Sequence, residues 1–312
     1  MAQVKNYLSL IKFSHTIFAM PFAMIGFFLA VRTMDYSFSV VPGWHTIIVP
    51  ADFHGKIIPL STRDIVVKFL LVIGCMIFAR SAAMAFNRYL DRSFDARNPR
   101  TAIREIPAGI IKANHALWFT VLSCVLFMIA CFFINTLCFF LAPVALFVVL
   151  GYSYTKRFTS LCHLVLGLGL SLAPIGAYLA VTGRFDWLPL LFSFTVLFWV
   201  SGFDIIYSLQ DEAFDKAQQL YSIPAALGKR SALRVSEILH LLSALLVITA
   251  GIYGRFGPWY WVGVAVFIGM LIYQHSIVNP NDLRRVNIAF MTANGIASVV
   301  FSFFVIGDIF LR

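Results

Sequence analysis

Nine apolar runs, each about as long as a bilayer is thick, fill most of this 312-residue chain. They lie near 16–33, 64–87, 113–134, 136–154, 160–182, 188–208, 233–254, 257–276 and 288–311. A membrane-crossing helix needs roughly 17–25 apolar residues, and inside lipid it must satisfy its backbone polar groups within itself. The runs therefore predict an all-α, polytopic membrane helical bundle of about nine transmembrane helices. Residues 1–312 are read as a single integral-membrane domain. A soluble fold is excluded by composition, because only 12% of residues are charged, against about 25% in soluble domains. The third and fourth runs are separated by little more than Asn135, which predicts a tight hairpin. Pro21, Pro143 and Pro174 fall inside runs and predict local kinks. The first run, from about Thr16, has no well-placed small-residue cleavage site, so it is read as a retained helix rather than a signal peptide. Residues 33–63 break the pattern with Pro42, Gly43, Pro50, Gly55 and Pro59. They are expected to form an outer-side loop insertion, with a short amphipathic element or a small hairpin lying on the membrane.

The net charge is +10. In a soluble chain this would point to nucleic acid, but here topology accounts for it and no nucleic-acid partner is expected. With the N-terminus in the cytoplasm, 16 of the 24 Lys and Arg residues fall on the cytoplasmic side and 6 on the outer side, with Lys68 and Arg80 inside helices. The positive-inside rule then orients the chain N-in and C-out. Cys75, Cys124, Cys131, Cys138 and Cys162 all lie in apolar segments and form no CxxC pair. They are expected to pack as small apolar side chains, without a disulfide or zinc.

Carboxylates are the scarce resource. The chain has 14 Asp and Glu residues, and seven of them lie in or beside two strings, Asn87–Asp95 and Asp204–Asp215. Read as helix, Asn87, Asp91 and Asp95 are four apart and share a face. Arg80 lies seven before Asn87, nearly on the same stripe. Asp204, Tyr207, Asp211 and Asp215 likewise share a face of the second string. Two such faces meeting would surround a cavity with oxygen donors, which suit Mg²⁺ together with phosphate oxygens. The alternative is that these are solvated charges paired with Arg88, Arg92, Arg97 and Lys216. That reading explains a single Asp better than it explains two strings of matched spacing.

The two strings resemble those of the UbiA superfamily of membrane prenyltransferases, most closely its quinone-pathway branch, the 4-hydroxybenzoate polyprenyltransferases. The resemblance is carried by Asn87-x3-Asp91-x3-Asp95 and Asp204-x2-Tyr207-x3-Asp211-x3-Asp215. Ser14–Pro21, Arg104–Gly109 and Tyr152–Arg157 support it, although Ser153 stands where proline is common in the family. The resemblance implies Mg²⁺-dependent transfer of a polyprenyl group from an allylic polyprenyl diphosphate to a hydroxylated aromatic acid. The acceptor would be of the 4-hydroxybenzoate type, or alternatively a naphthoate of menaquinone biosynthesis. A membrane of the bacterial inner type and a cytoplasmic active site follow, with lipid around the apolar tail; oligomeric state stays open.

The implied metal ligands are Asn87, Asp91, Asp211 and Asp215, with Asp95 and Asp204 as ligands or supporting partners. Arg80, Lys156 and Arg157 would clamp diphosphate and, with Asp91 and Asp211, carry catalysis. Tyr152, Tyr154 and Tyr207 would line the allylic cation, and Ser14 and His15 would help to position the acceptor. Ordinary structural roles remain for several of these. Arg80 could simply pair with Asp91, Lys156 and Arg157 could serve topology, the tyrosines could be helix-end anchors, and Ser14 and His15 could be interfacial packing. A cation-coupled transporter is the rival of another class, but it would place carboxylates near mid-helix. Here they cluster at helix ends among basic residues.

Overall fold

The computed structural model describes residues 2–11, 18–38, 47–49 and 58–311. Among the described residues twelve α-helices follow in order: α1 (Ala2–Leu10), α2 (Met20–Phe38), α3 (Thr62–Leu90), α4 (Arg92–Arg97), α5 (Ala113–Ile134), α6 (Thr136–Thr155), α7 (Cys162–Thr182), α8 (Trp187–Ser208), α9 (Glu212–Ala217), α10 (Ile223–Tyr253), α11 (Pro258–Ile277) and α12 (Asn294–Leu311). Two three-residue strands, β1 (Ile47–Val49) and β2 (Ile58–Leu60), pair antiparallel with Ile48 opposite Pro59. Among the described residues eight helical segments are long and apolar enough to cross a membrane, and the apolar part of α2 is a shorter ninth.

Sequence signals explain several helix ends. Ser61 caps α3 and exchanges hydrogen bonds with Asp64, a capping box. Asn135 is the whole of the α5–α6 turn. Its side chain accepts from the Cys138 amide at 2.8 Å to cap α6 and donates to the Leu179 carbonyl at 2.9 Å, tying the hairpin to the end of α7. The Lys68 ammonium reinforces that junction by donating to the carbonyls of Ile134 and Ala180. This uses a charged donor to satisfy two helix-end acceptors that lipid could not.

Pro143 and Pro174 sit inside α6 and α7, but Pro21 is the second residue of α2, where proline lacks no needed N–H and starts a helix rather than bending it. The break within a long helix comes instead at Gly228 of α10, with φ 76° and ψ 164°. That conformation is open to glycine and strained for other residues. α10 also begins ten residues before the apolar run at 233, carrying Lys229 and Arg230 on a polar extension.

The core lies among α2, α7, α8, α10, α11 and α12, where Phe22, Phe192, Trp199, Tyr260, Phe267 and Phe301 are fully buried. Close approach is bought with small residues: a Cβ on Gly167 of α7 would meet the Leu197 carbonyl of α8 at 2.4 Å. α5 and α6 instead turn apolar side chains outward, such as Trp118, Phe133 and Phe147. In water that would be an aggregation surface; for a spanning bundle it is the lipid face. The resulting scaffold brings the far ends of α3 and α8, with the short helices that follow them, to one end of the bundle.

Candidate active site

Both aspartate strings line one cavity of about 580 Å³ at that end of the bundle. Neither string is a single continuous helix. α3 stops at Leu90, Asp91 adopts φ −89° and ψ 4°, and α4 restarts at Arg92. In the second string α8 ends at Ser208, a 3₁₀ turn covers Leu209–Asp211, and α9 begins at Glu212. The expected straight stripe of four-apart carboxylates is thus bent at Asp91 and at Asp211. The bends follow from chemistry: aspartate is a poor helix former, and the local charges find partners off the helix axis.

Each carboxylate meets a specific partner. Asp91 accepts from the Asn87 amide at 3.0 Å and pairs with Arg157 at 2.8 Å. Asp211 receives Arg100 Nε at 3.0 Å and Nη2 at 2.5 Å in a two-pronged contact, and Asn98 at 3.3 Å. Asp215 pairs with Lys156 at 2.8 Å and accepts from Ser222 at 2.9 Å. Two further candidates line the same chamber but are taken up by other partners. Asp95 is buried and held by Arg104 at 2.6 Å, with Arg88 at 4.0 Å. Asp204 is engaged at 2.7 Å by His163. The charges act on one another. Burial pushes the Asp91 carboxyl above the ordinary carboxylate range, and the Arg157 guanidinium only partly offsets it. Burial alone would lower the Lys156 ammonium, but Asp215 outweighs this and holds it above its ordinary value. Arg100 is likewise raised: Asp211 overcomes the cost of burial.

The tyrosines separate. Tyr152 lines the cavity, and so does Tyr207, whose hydroxyl accepts from Arg100 at 2.9 Å and whose ring stacks on Phe290 at 4.2 Å. Tyr154 lies outside the cavity wall, 46% exposed and against Phe86. Alternate residues at the end of α6 point to different sides, which a linear motif does not display. Ser14 and His15 lie outside the described residues. Asn98, Arg100, His163 and Ser222 join the site without having been picked out, and Arg104, seen only as part of a supporting motif, holds Asp95. The cluster Asn98-Pro99-Arg100, placed just after the first string, was the available signal for two of them.

Arg80, Met84, Tyr152, Leu166 and Leu170 belong both to this cavity and to a second one of about 350 Å³. The second cavity is walled almost wholly by apolar side chains of α3, α5, α6 and α7, including Val72, Leu141, Val148 and Ala180. A charged chamber thus adjoins an apolar tunnel, with Arg80 and Tyr152 at the junction. Among the described residues no three His, Cys, Asp or Glu side chains converge as a closed metal cage. The carboxylates form an open set: Asp91, Asp95, Asp211 and Asp215 each face an Arg or Lys, and Asp204 faces the His163 ring.

A model of the UbiA prenyltransferase family matches residues 58–296. The chain is 29% identical over 248 residues to a 4-hydroxybenzoate octaprenyltransferase of Nitrosomonas europaea, covering 79% of this chain and 84% of that protein. It is 27% identical over 237 residues to one of Nitrosospira multiformis, covering 76% and 81%. A UbiA homologue from Aeropyrum pernix K1 superposes with a TM-score of 0.73 at 25% identity, over 95% of this chain and 97% of its own. A UbiA homologue from Archaeoglobus fulgidus bound to GPP and Mg²⁺ shares the fold, with a TM-score of 0.71 at 18% identity over 97% and 99% of the two chains.

Proposed function

The chain belongs to the UbiA prenyltransferase family, and we propose that it transfers a polyprenyl group from an allylic polyprenyl diphosphate to a hydroxylated aromatic acid of the 4-hydroxybenzoate type, in quinone biosynthesis. One observation carries this reading: the chamber holding both aspartate strings and their cations adjoins an apolar cavity, sharing Arg80, Met84, Tyr152, Leu166 and Leu170 with it. A polyanionic head and a long apolar tail are the two things such a shape accommodates.

The donor chemistry fits Mg²⁺. Asn87, Asp91, Asp211 and Asp215 offer hard oxygen atoms, and Asn87 turns its amide nitrogen to Asp91, which leaves its carbonyl oxygen available. These four residues would hold the ion, with Asp95 and Asp204 set back by Arg104 and His163. The open set suits an ion whose remaining ligands are substrate phosphates. When bound, Mg²⁺ neutralises charge on the diphosphate and makes it a better leaving group. Lys156, Arg157 and Arg100 supply further positive charge where the diphosphate becomes more negative, and Arg80 guards the mouth of the tunnel. The allylic C–O bond breaks with its electron pair leaving on diphosphate. Tyr152 and Tyr207 present aromatic faces near the resulting cation. A ring carbon of the acceptor gives the pair for the new C–C bond, and the ring then loses its proton to the released diphosphate. The N-terminus and chamber would face the cytoplasm of a bacterial-type inner membrane, and the C-terminus the outside.

The test uses purified protein in lipid vesicles, one long prenyl diphosphate, and either 4-hydroxybenzoate or a dihydroxynaphthoate, with Mg²⁺ or with EDTA. Prenylated hydroxybenzoate formed only with Mg²⁺ is expected. Product from the naphthoate alone would replace the acceptor assignment, and full turnover in EDTA would remove the metal from it.

A further inference from the structure

The chamber has a second wall, on the side away from α3, α5, α6 and α7. Phe18 before α2, Phe203 and Tyr207 of α8, and Asn287, Phe290 and Met291 before α12 form it. The rings are mutually braced. Phe290 stacks on Tyr207 at 4.2 Å and meets Phe18 at 5.3 Å and Phe203 at 5.5 Å. Three of these six residues lie at one irregularity, a π-helical turn at Ile288–Ala293 entered at Asn287. Such turns add a residue to a helical turn and are common at functional sites, where they re-aim side chains.

The side chain that holds this turn is Asn294, fully buried at the start of α12. Its amide nitrogen donates at 3.0 Å to the carbonyls of both Ala289 and Phe290. Its oxygen accepts from Trp199 Nε1 at 2.8 Å and from Gln274 Nε2 at 3.3 Å. Both donor hydrogens and both lone pairs are thereby used. One amide therefore joins α8, α11 and the turn, and fixes the carbonyl of the residue whose ring forms the wall.

We propose that this wall is the subsite for the planar aromatic acceptor, and that Asn294 is a positioning residue that sets it by locking the π-turn. The inference rests on the prenyl-transfer reading and extends it. The tunnel claims the apolar tail and the aspartate strings claim the diphosphate, so a ring entering the same chamber meets the remaining aromatic wall. Flat rings pack on such a wall edge-on or offset, and Asn287 adds a polar side chain there.

The experiment is steady-state kinetics on Phe290→Leu and Asn294→Ala, varying hydroxybenzoate and prenyl diphosphate in turn. Phe267→Leu serves as control, because Phe267 packs on Trp199 yet lines neither cavity. Phe290→Leu keeps an apolar side chain and removes the ring, so the acceptor KM should rise about five- to tenfold, the scale of one aromatic pair. The KM for prenyl diphosphate should stay within twofold. Asn294→Ala should give the same split, and the control should give neither change. Equal rises in both KM values, or unchanged acceptor KM in folded Phe290→Leu, would overturn the subsite. Should Asn294→Ala fail to fold, Phe290→Leu alone decides. Absence of aromatic transfer by the wild-type protein would instead sink the underlying activity, so the two failures are distinguishable.

Discussion

Replacing Arg157 by lysine keeps the charge and changes the shape, which makes it a sharp test of the site. Arg157 uses its fork on three acceptors. Nη2 reaches Asp91 at 2.8 Å and the Leu90 carbonyl at 3.2 Å, and Nη1 reaches the Ser153 carbonyl at 2.8 Å. Its guanidinium also lies over Phe94 at 5.4 Å. It therefore braces the break where α3 ends and Asp91 turns into the chamber. A lysine has a single nitrogen and can keep the contact to Asp91 while losing the two carbonyls. Each charge-assisted bond is worth about 1.5–3 kcal/mol when well buried. Arg157 retains 27% side-chain exposure, so water recovers part of this loss. A net cost of about 2 kcal/mol at the reacting geometry is the working figure, or roughly 30-fold in turnover. The assay is steady-state kinetics in vesicles with each substrate varied in turn, beside a check of membrane insertion. Turnover should fall on that scale, use of prenyl diphosphate should suffer more than use of the acceptor, and insertion should be normal, because topology counts Lys and Arg alike. Unchanged constants for both substrates would show that Arg157 serves topology only.

Other consequences follow from charge and orientation. The Asp91 carboxyl is held above its ordinary range, so as pH falls it takes a proton earlier than an exposed aspartate does. Since the ionised form is the one that would serve the metal, the acid limb of kcat/KM should lie above about pH 4, the ordinary aspartate value. Arg157→Gln should move it higher still, because Arg157 favours the carboxylate; a limb that moves down contradicts the pairing. A cysteine placed near Lys216 should label only from the cytoplasmic side and one near Arg184 only from outside, and the reverse pattern would overturn the charge-based orientation.

Much of the fold was written in hydropathy, because lipid forces each spanning segment to be long, apolar and helical. Asn135 announced its hairpin for the same reason: one polar residue between two apolar runs has nowhere else to be. The polar start of α10 was hidden, since Lys229 and Arg230 carry no hydropathy signal and the break at Gly228 depends on a backbone angle. At the site, the carboxylates were visible as scarce charges in an apolar chain, but their partners were not. Arg100 meets Asp211 across 111 positions of sequence, and His163 meets Asp204 across 41. Helical spacing also overstated the stripes, because the chain bends at Asp91 and at Asp211 and lets Arg104 draw Asp95 aside. The π-turn left no mark in the sequence that pattern reading could use, since it is held by one buried asparagine whose partners lie on other helices.

The central claim is that the two strings act together as one metal and diphosphate site. Manganese paramagnetic resonance tests this without turnover, using Mn²⁺ in place of Mg²⁺ and a prenyl diphosphate with no acceptor present. Wild-type protein should bind Mn²⁺ far more tightly when the diphosphate is added, and Asp91→Asn and Asp211→Asn should each abolish that gain. Diphosphate-dependent Mn²⁺ binding that persists in either folded variant would contradict the claim.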